Sequence, residues 1–172
     1  MLDWLVTTFA VSGCLIVRHP FSTVASTLRV GWKAHLQAFL DDEELMRDHL
    51  EPYERVIRSA QSPAETRSVV WAVSTKLALE SSARHGIPVV KYEALCRDPE
   101  GESRRLFQSL GLPWHDEVSR FVRETSSENK GGEFAIYRNS YDMATWESAL
   151  SPQQAREVTG VCRSFGFDPH DW

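Results

Sequence analysis

The chain has 172 residues, the size of a single domain at roughly 150 residues per domain. A composition of 42% hydrophobic and 25% charged residues is that of an ordinary soluble protein and excludes disordered and fibrous classes. Nineteen Lys and Arg against 24 Asp and Glu leave a formal net charge of −5, which disfavours a general nucleic-acid binder while leaving room for a local basic pocket.

Leu2, Leu5, Val6 and Phe9 recur at helical spacing and predict a short amphipathic helix. Cys14-Leu15-Ile16-Val17 is a continuous apolar run, read as a strand buried on both faces. The apolar stretch from Leu5 to Val17 falls short of the roughly 20 residues of a bilayer span. Val11-Ser12-Gly13-Cys14 has the look of a lipoprotein cleavage box, but no Lys or Arg precedes it and Asp3 does, so lipidation of Cys14 is not expected. Cys14, Cys96 and Cys162 form no C-x-x-C pair; reduced, mostly buried thiols of a cytoplasmic protein are expected, with neither disulfides nor zinc.

Arg18-His19-Pro20 ends the strand, and Pro20 opens a helix predicted to run through Arg29 and, after Gly31, from Lys33 to Leu40. The charged stretch from Asp41 to Arg47 leads into a further helix reaching Ser59. Ser62-Pro63-Ala64-Glu65 starts the next one, with Ser62 as cap, Pro63 in the first turn and Glu65 closing a capping box. It carries Val69, Val70, Val73 and Leu77 and stops at Gly86. Ile87 to Tyr92 is the second strand, and Asp98-Pro99 opens a helix that should bury Leu106, Phe107 and Leu110 before Gly111. Residues 125–139, polar and holding Lys130-Gly131-Gly132, are read as a mobile loop. Ser151-Pro152-Gln153-Gln154 repeats the capping pattern ahead of a final helix ending at Gly166. Strand–helix alternation makes this a helix-rich α/β fold with a parallel sheet, although two strands make a poor sheet on their own.

Chemistry concentrates where the first strand meets its helix. A helix N-terminus gathers free N–H groups and the positive dipole end, an anion site in waiting. Arg18 adds a cation of bidentate geometry, and Ser26, one turn beyond Ser22, offers a hydroxyl. From the residues alone, an Arg18 paired with a carboxylate and serines facing solvent explain the pattern equally well.

Arg18-His19-Pro20 with Ser26 resembles the 3′-phosphate-binding segment of sulfotransferases, enzymes that use 3′-phosphoadenosine 5′-phosphosulfate (PAPS). The resemblance runs along most of the chain and is to a bacterial branch of that family. Leu2-Asp3-Trp4-Leu5, Gly31-Trp32, Leu45-Met46-Arg47-Asp48 with Pro52, and Tyr92-Glu93-Ala94-Leu95 with Asp98-Pro99 carry it. So do Leu110-Gly111-Leu112-Pro113, Arg138-Asn139-Ser140, Trp146 and Leu150-Ser151-Pro152. The resemblance implies a P-loop-NTPase-like fold with PAPS or 3′-phosphoadenosine 5′-phosphate as co-substrate and no metal. It implies that Arg18 and Ser26 bind the 3′-phosphate and that Tyr92 contacts the adenosine part. Arg138 would reach the same phosphate from a mobile loop, with Ser140 as a weaker companion.

One departure is large. The family's 5′-phosphosulfate loop has no counterpart here: no G-x-x-x-x-G-K-[ST] and no related lysine- and hydroxyl-rich stretch precede Arg18, which has only 17 residues before it. The expectation is therefore the C-terminal part of a sulfotransferase, a single partial domain over 1–172 without its catalytic loop or general base. It would supply the 3′-phosphoadenosine side of sulfuryl transfer from PAPS to a hydroxyl or amine, inactive as an isolated chain. A homodimer, or a second chain bringing the missing part, would cover the face near Leu15, Val17 and Val89. The alternative is a non-catalytic nucleotide-binding or assembly protein of the same descent. The six histidines show no metal-ligand spacing and no G-x-S-x-G elbow is present; most of the tryptophans read as core and interface residues.

Overall fold

The computed structural model describes residues 2–9, 12–127 and 145–171. In chain order they form α1 (Leu2–Phe9), β1 (Leu15–Val17), α2 (Pro20–Arg29), α3 (Gln37–Leu40), α4 (Glu43–Leu45), α5 (Glu54–Ser59) and α6 (Pro63–His85). There follow β2 (Val89–Lys91), α7 (Tyr92–Arg97), α8 (Pro99–Ser109), α9 (Asp116–Ser127), α10 (Thr145–Ala149) and α11 (Pro152–Ser164). The architecture is thus helix-rich with a two-stranded parallel sheet, β1 beside β2 in the register Leu15↔Val89, Ile16↔Val90 and Val17↔Lys91. Among the described residues no helix is long and apolar enough to cross a membrane.

The chain divides into two compact units. One takes in the chain up to Arg18 together with Leu79 to Thr145; the other takes in His19 to Ala78 and the chain from Trp146 on. The dividing points fall between Arg18 and His19, inside α6, and after the first residue of α10.

The second unit holds most of the fully buried side chains. Val24, Leu50, Ile57, Val69, Val158 and Cys162 make its centre, where α2 packs against α11. The expected caps are present. Ser62 Oγ accepts from Glu65 N–H at 3.0 Å while a Glu65 carboxylate oxygen accepts from Ser62 N–H at 2.9 Å and Gln61 N–H at 3.0 Å. Ser62 also donates its hydroxyl proton to Glu157 of α11 at 2.7 Å, tying two helix starts together. Ser151 and Gln154 close a second capping box at α11.

Between α2 and α6 the outcome differs from expectation. No helix runs from Lys33: after Gly31, at φ +68°, the chain is irregular until α3. The predicted helix ending at Ser59 is broken into α4, a wide π turn over Met46–Leu50, a 3₁₀ turn over Glu51–Tyr53, and α5. Pro52 explains the break, since it has no N–H to donate and its ring crowds the preceding turn.

In the first unit, α7 packs on α8 and α8 on α9. Asp98 caps α8 by accepting from Gly101 N–H at 2.9 Å. Leu106, Phe107 and Leu110 are only half-buried. Trp114 closes α8 on α9: its ring meets Phe107 edge-on, lies under the Arg104 guanidinium, and donates from Nε1 to Ser119 Oγ at 2.8 Å. Helix α9 has no counterpart in the expectation, and its last turn covers Thr125 to Ser127, so the predicted loop begins three residues too early. The remainder of that loop, 128–139, lies outside the described residues.

Helix α1 is fastened by one carboxylate. Ser81, Arg84 and His85 share a face of α6 at spacings of three and four, and all three meet Asp3. Ser81 Oγ donates to Asp3 Oδ1 at 2.7 Å, His85 Nε2 lies 2.8 Å from the same oxygen, and Arg84 donates to Oδ2 at 2.9 Å. The apolar face of α1 is less well covered than its pattern predicts, with Phe9 59% and Trp4 57% exposed.

The strands are not buried on both faces. Val17 and Val90 are buried, but Ile16 is 52% and Val89 43% exposed. Among the described residues the sheet has no further strand on either side, so an apolar run in the sequence does not guarantee cover.

Candidate functional site

Ligands of open parallel sheets bind beyond the carboxyl ends of the strands, and here each strand delivers one sequence-predicted site residue to that end. The last register pair is Val17↔Lys91; the next residue of β1's chain is Arg18 and that of β2's chain is Tyr92. Both are half-buried, and the Arg18 guanidinium carbon lies 5.0 Å from the centroid of the Tyr92 ring. That is cation–π distance. Tyr92 is the first residue of α7 rather than the end of a longer strand, because β2 stops at Lys91.

The residue after Arg18 closes the start of α2. His19 is extended, at φ −48° and ψ 133°, as the residue before a proline must be. Its Nδ1 accepts from Phe21 N–H at 3.2 Å, and its carbonyl accepts from Thr23 N–H at 3.0 Å. An imidazole whose Nδ1 accepts holds its proton on Nε2, so the cap works in the neutral form. The ring is parallel to that of Trp146, 5.8 Å away, and Trp146 also packs on Phe21 at 4.5 Å. The reading of the sequence counted His19 among scattered histidines. The signal that identifies it is its place immediately before a proline in the first turn of a helix, which is the N-cap position.

Ser22 and Ser26 lie one turn apart on α2; Ser22 is 7% exposed and Ser26 half-buried. The division of the chain puts Arg18 and Tyr92 in the first unit and Ser26 in the second. Of the predicted site residues, the structure joins Arg18 to Tyr92. Arg138 and Ser140 lie outside the described residues.

The Ser81, Asp3 and His85 group holds the three residue types of a hydrolytic triad without its geometry. Serine and histidine both bond to Asp3 Oδ1, so the hydroxyl proton goes to the carboxylate and no imidazole stands ready to take it. Ser81 is also 3% exposed. This group is a fastening. The Ser81 hydrogen bond, the largest influence, together with that of His85 and the charge of Arg84, holds the Asp3 carboxyl below its ordinary 3.8 against desolvation, which is the second-largest influence and raises it. Among the described residues no group of three or more His, Cys, Asp or Glu could hold a metal ion.

What the strand-end arrangement offers chemically is anion recognition. A guanidinium over an aromatic face is attracted by the ring, and its planar fork has the geometry that matches a phosphate. Comparison of the chain with family models, curated proteins and solved structures gives no match.

Proposed function

We propose that this chain binds the 3′-phosphoadenosine part of PAPS, or of 3′-phosphoadenosine 5′-phosphate. In this reading it is a P-loop-NTPase-like relative of the sulfotransferases with a reduced parallel sheet. The observation that carries the reading is Arg18 lying over Tyr92 at the carboxyl end of the parallel pair, one residue ahead of the α2 cap. A fixed cation at that end favours a phosphate bearing two negative charges. The family resemblance would assign Ser26, Arg138 and Ser140 to the same phosphate.

The 3′-phosphate keeps its charge throughout sulfuryl transfer, so residues that address it bind ground state and transition state alike and accelerate little. These 172 residues contain no G-x-x-x-x-G-K-[ST] segment. Transfer to a hydroxyl or amine acceptor is therefore assigned to these residues acting with a phosphosulfate loop that they do not themselves contain. A non-catalytic assembly role is the second reading, favoured by the exposure of Ile16 and Val89 on the sheet.

Calorimetric titration with 3′-phosphoadenosine 5′-phosphate and with adenosine 5′-phosphate tests the first reading. Three charge-assisted hydrogen bonds of up to about 3 kcal/mol each, set against an association cost of at least about 4 kcal/mol, leave at most about 5 kcal/mol, so the dissociation constant is expected at about 0.2 mM or weaker. The 3′-phosphorylated nucleotide should bind more tightly, and Arg18→Ala should erase the difference. Equal affinity of the wild-type chain for the two nucleotides would end the reading. An assembly role alone predicts self-association that Arg18→Ala leaves intact and no nucleotide preference at all.

A further inference from the structure

We propose that Tyr92 is a positioning residue for Arg18, its ring holding the guanidinium in the orientation that meets the anion. The inference rests on the 3′-phosphate reading and specifies how that site is built. Three observations converge. The strand register makes Arg18 and Tyr92 the first residues past the last pair, Val17↔Lys91, so the backbone brings the two side chains to the same end. The guanidinium carbon stands 5.0 Å from the ring centroid. Both residues are half-buried, so the contact is partly desolvated and stronger than a fully exposed one.

An arginine at a strand end has several rotatable bonds and a large rotamer entropy to lose when it grips a phosphate. A planar ring underneath removes most of those rotamers before the ligand arrives, and preorganisation of this kind shows as affinity. The ring face under Arg18 is occupied by the cation and is closed to a nucleobase, and in this proposal Tyr92 acts on the ligand through Arg18. The phenol oxygen has no part in this function. A phenylalanine or tryptophan serves equally, and a leucine of similar bulk does not.

The test compares the 3′-phosphorylated and unphosphorylated nucleotides across a set of variants. Tyr92→Leu is expected to weaken 3′-phosphoadenosine 5′-phosphate by about three- to thirtyfold, the range of a partly desolvated cation–π contact, with adenosine 5′-phosphate changing less than about twofold. Tyr92→Phe and Tyr92→Trp restore wild-type affinity. In Arg18→Ala, adding Tyr92→Leu costs nothing further, because the two residues act as one unit. Equal weakening of both nucleotides by Tyr92→Leu overturns the proposal in favour of direct nucleoside contact. A Tyr92→Phe as weak as Tyr92→Leu overturns it in favour of a role for the hydroxyl.

A ligand-free measurement separates this from failure of the nucleotide reading. The Arg18 side-chain protons, assigned by their loss in Arg18→Lys, should be shifted upfield by the ring in wild type and in Tyr92→Phe. This comparison needs no leucine variant to fold. Unshifted, averaged Arg18 signals in wild type overturn the positioning role. Shifted signals with no preference for the 3′-phosphate uphold the positioning and end the nucleotide reading instead.

Discussion

Leu50 and Ile16 carry aliphatic side chains of equal size, yet Leu50 is 0% exposed in the second unit's core and Ile16 is 52% exposed on β1. Apolar content alone does not separate them; cover does. Leu50→Ala is expected to cost about 2–5 kcal/mol, the loss of burial plus the cavity left behind. Ile16→Ala should stay within about 0.5 kcal/mol, since little is removed from a packed interior. Urea unfolding of the two variants beside wild type measures both. The same contrast sorts the cysteines. Burial pushes the Cys162 thiol up from 9.0 to about 12, while Cys14 and Cys96 are half-buried and in no disulfide. A thiol reagent at pH 8 should modify Cys14 and Cys96 in the native protein and reach Cys162 only in denaturant, because the thiolate is the reactive form.

Helix starts show which features a sequence discloses by itself. The boxes at Ser62–Glu65 and Ser151–Gln154 and the cap at Asp98 span three or four residues and close through backbone atoms of their own turn, so they are readable without knowing the rest of the fold. Ser151→Ala should lower stability by about 1 kcal/mol in thermal or urea unfolding. What depends on distant chain is not readable in that way. The Arg18–Tyr92 contact needs the register of two strands more than 70 residues apart. The exposure of Ile16 and Val89 depends on what lies across the sheet, and the π and 3₁₀ turns around Pro52 on how a proline is accommodated in a charged stretch. Helix α9 was hidden for another reason: its apolar residues Val118, Phe121 and Val122 are few, and Phe121 is 62% exposed.

The Asp3 fastening of α1 gives a pH-dependent prediction at the same scale. Its folded-state value lies below the ordinary 3.8, so its contribution is in place above that value and fades as pH falls through the depressed one. Asp3→Asn should therefore be less stable than wild type at pH 6, with the gap narrower at pH 3, below the ordinary 3.8. Urea titrations of the pair at both pH values read this directly. A gap at pH 3 no smaller than that at pH 6 would mean that the carboxylate's charge is not what holds α1.

The whole molecule poses the question of what covers the sheet. Each strand of the pair is three residues long and, among the described residues, has a strand partner on one side only, and an uncovered edge invites another chain. Ile16 and Val89 are exposed on these strands, and Trp4 and Phe9 of the same unit are more exposed still. Such residues scattered singly need no explanation, but two of them sit on paired strands next to the proposed site. Proteins that expose apolar groups beside unpaired backbone associate, and a second copy is the partner present in any pure preparation. A homodimer is therefore the expected state in light scattering at concentrations near 100 µM, an order-of-magnitude choice for a modest interface. Ile16→Lys and Val89→Lys, placed where they disturb no core, should return the protein to monomer with the thermal midpoint nearly unchanged. They should also leave the preference for the 3′-phosphorylated nucleotide in place, because Arg18 and Tyr92 lie beyond the strand ends. A wild-type chain that remains a monodisperse monomer at that concentration removes self-association. The sheet would then be left for a different chain, and pairing with one that carries the phosphosulfate loop becomes the arrangement to test.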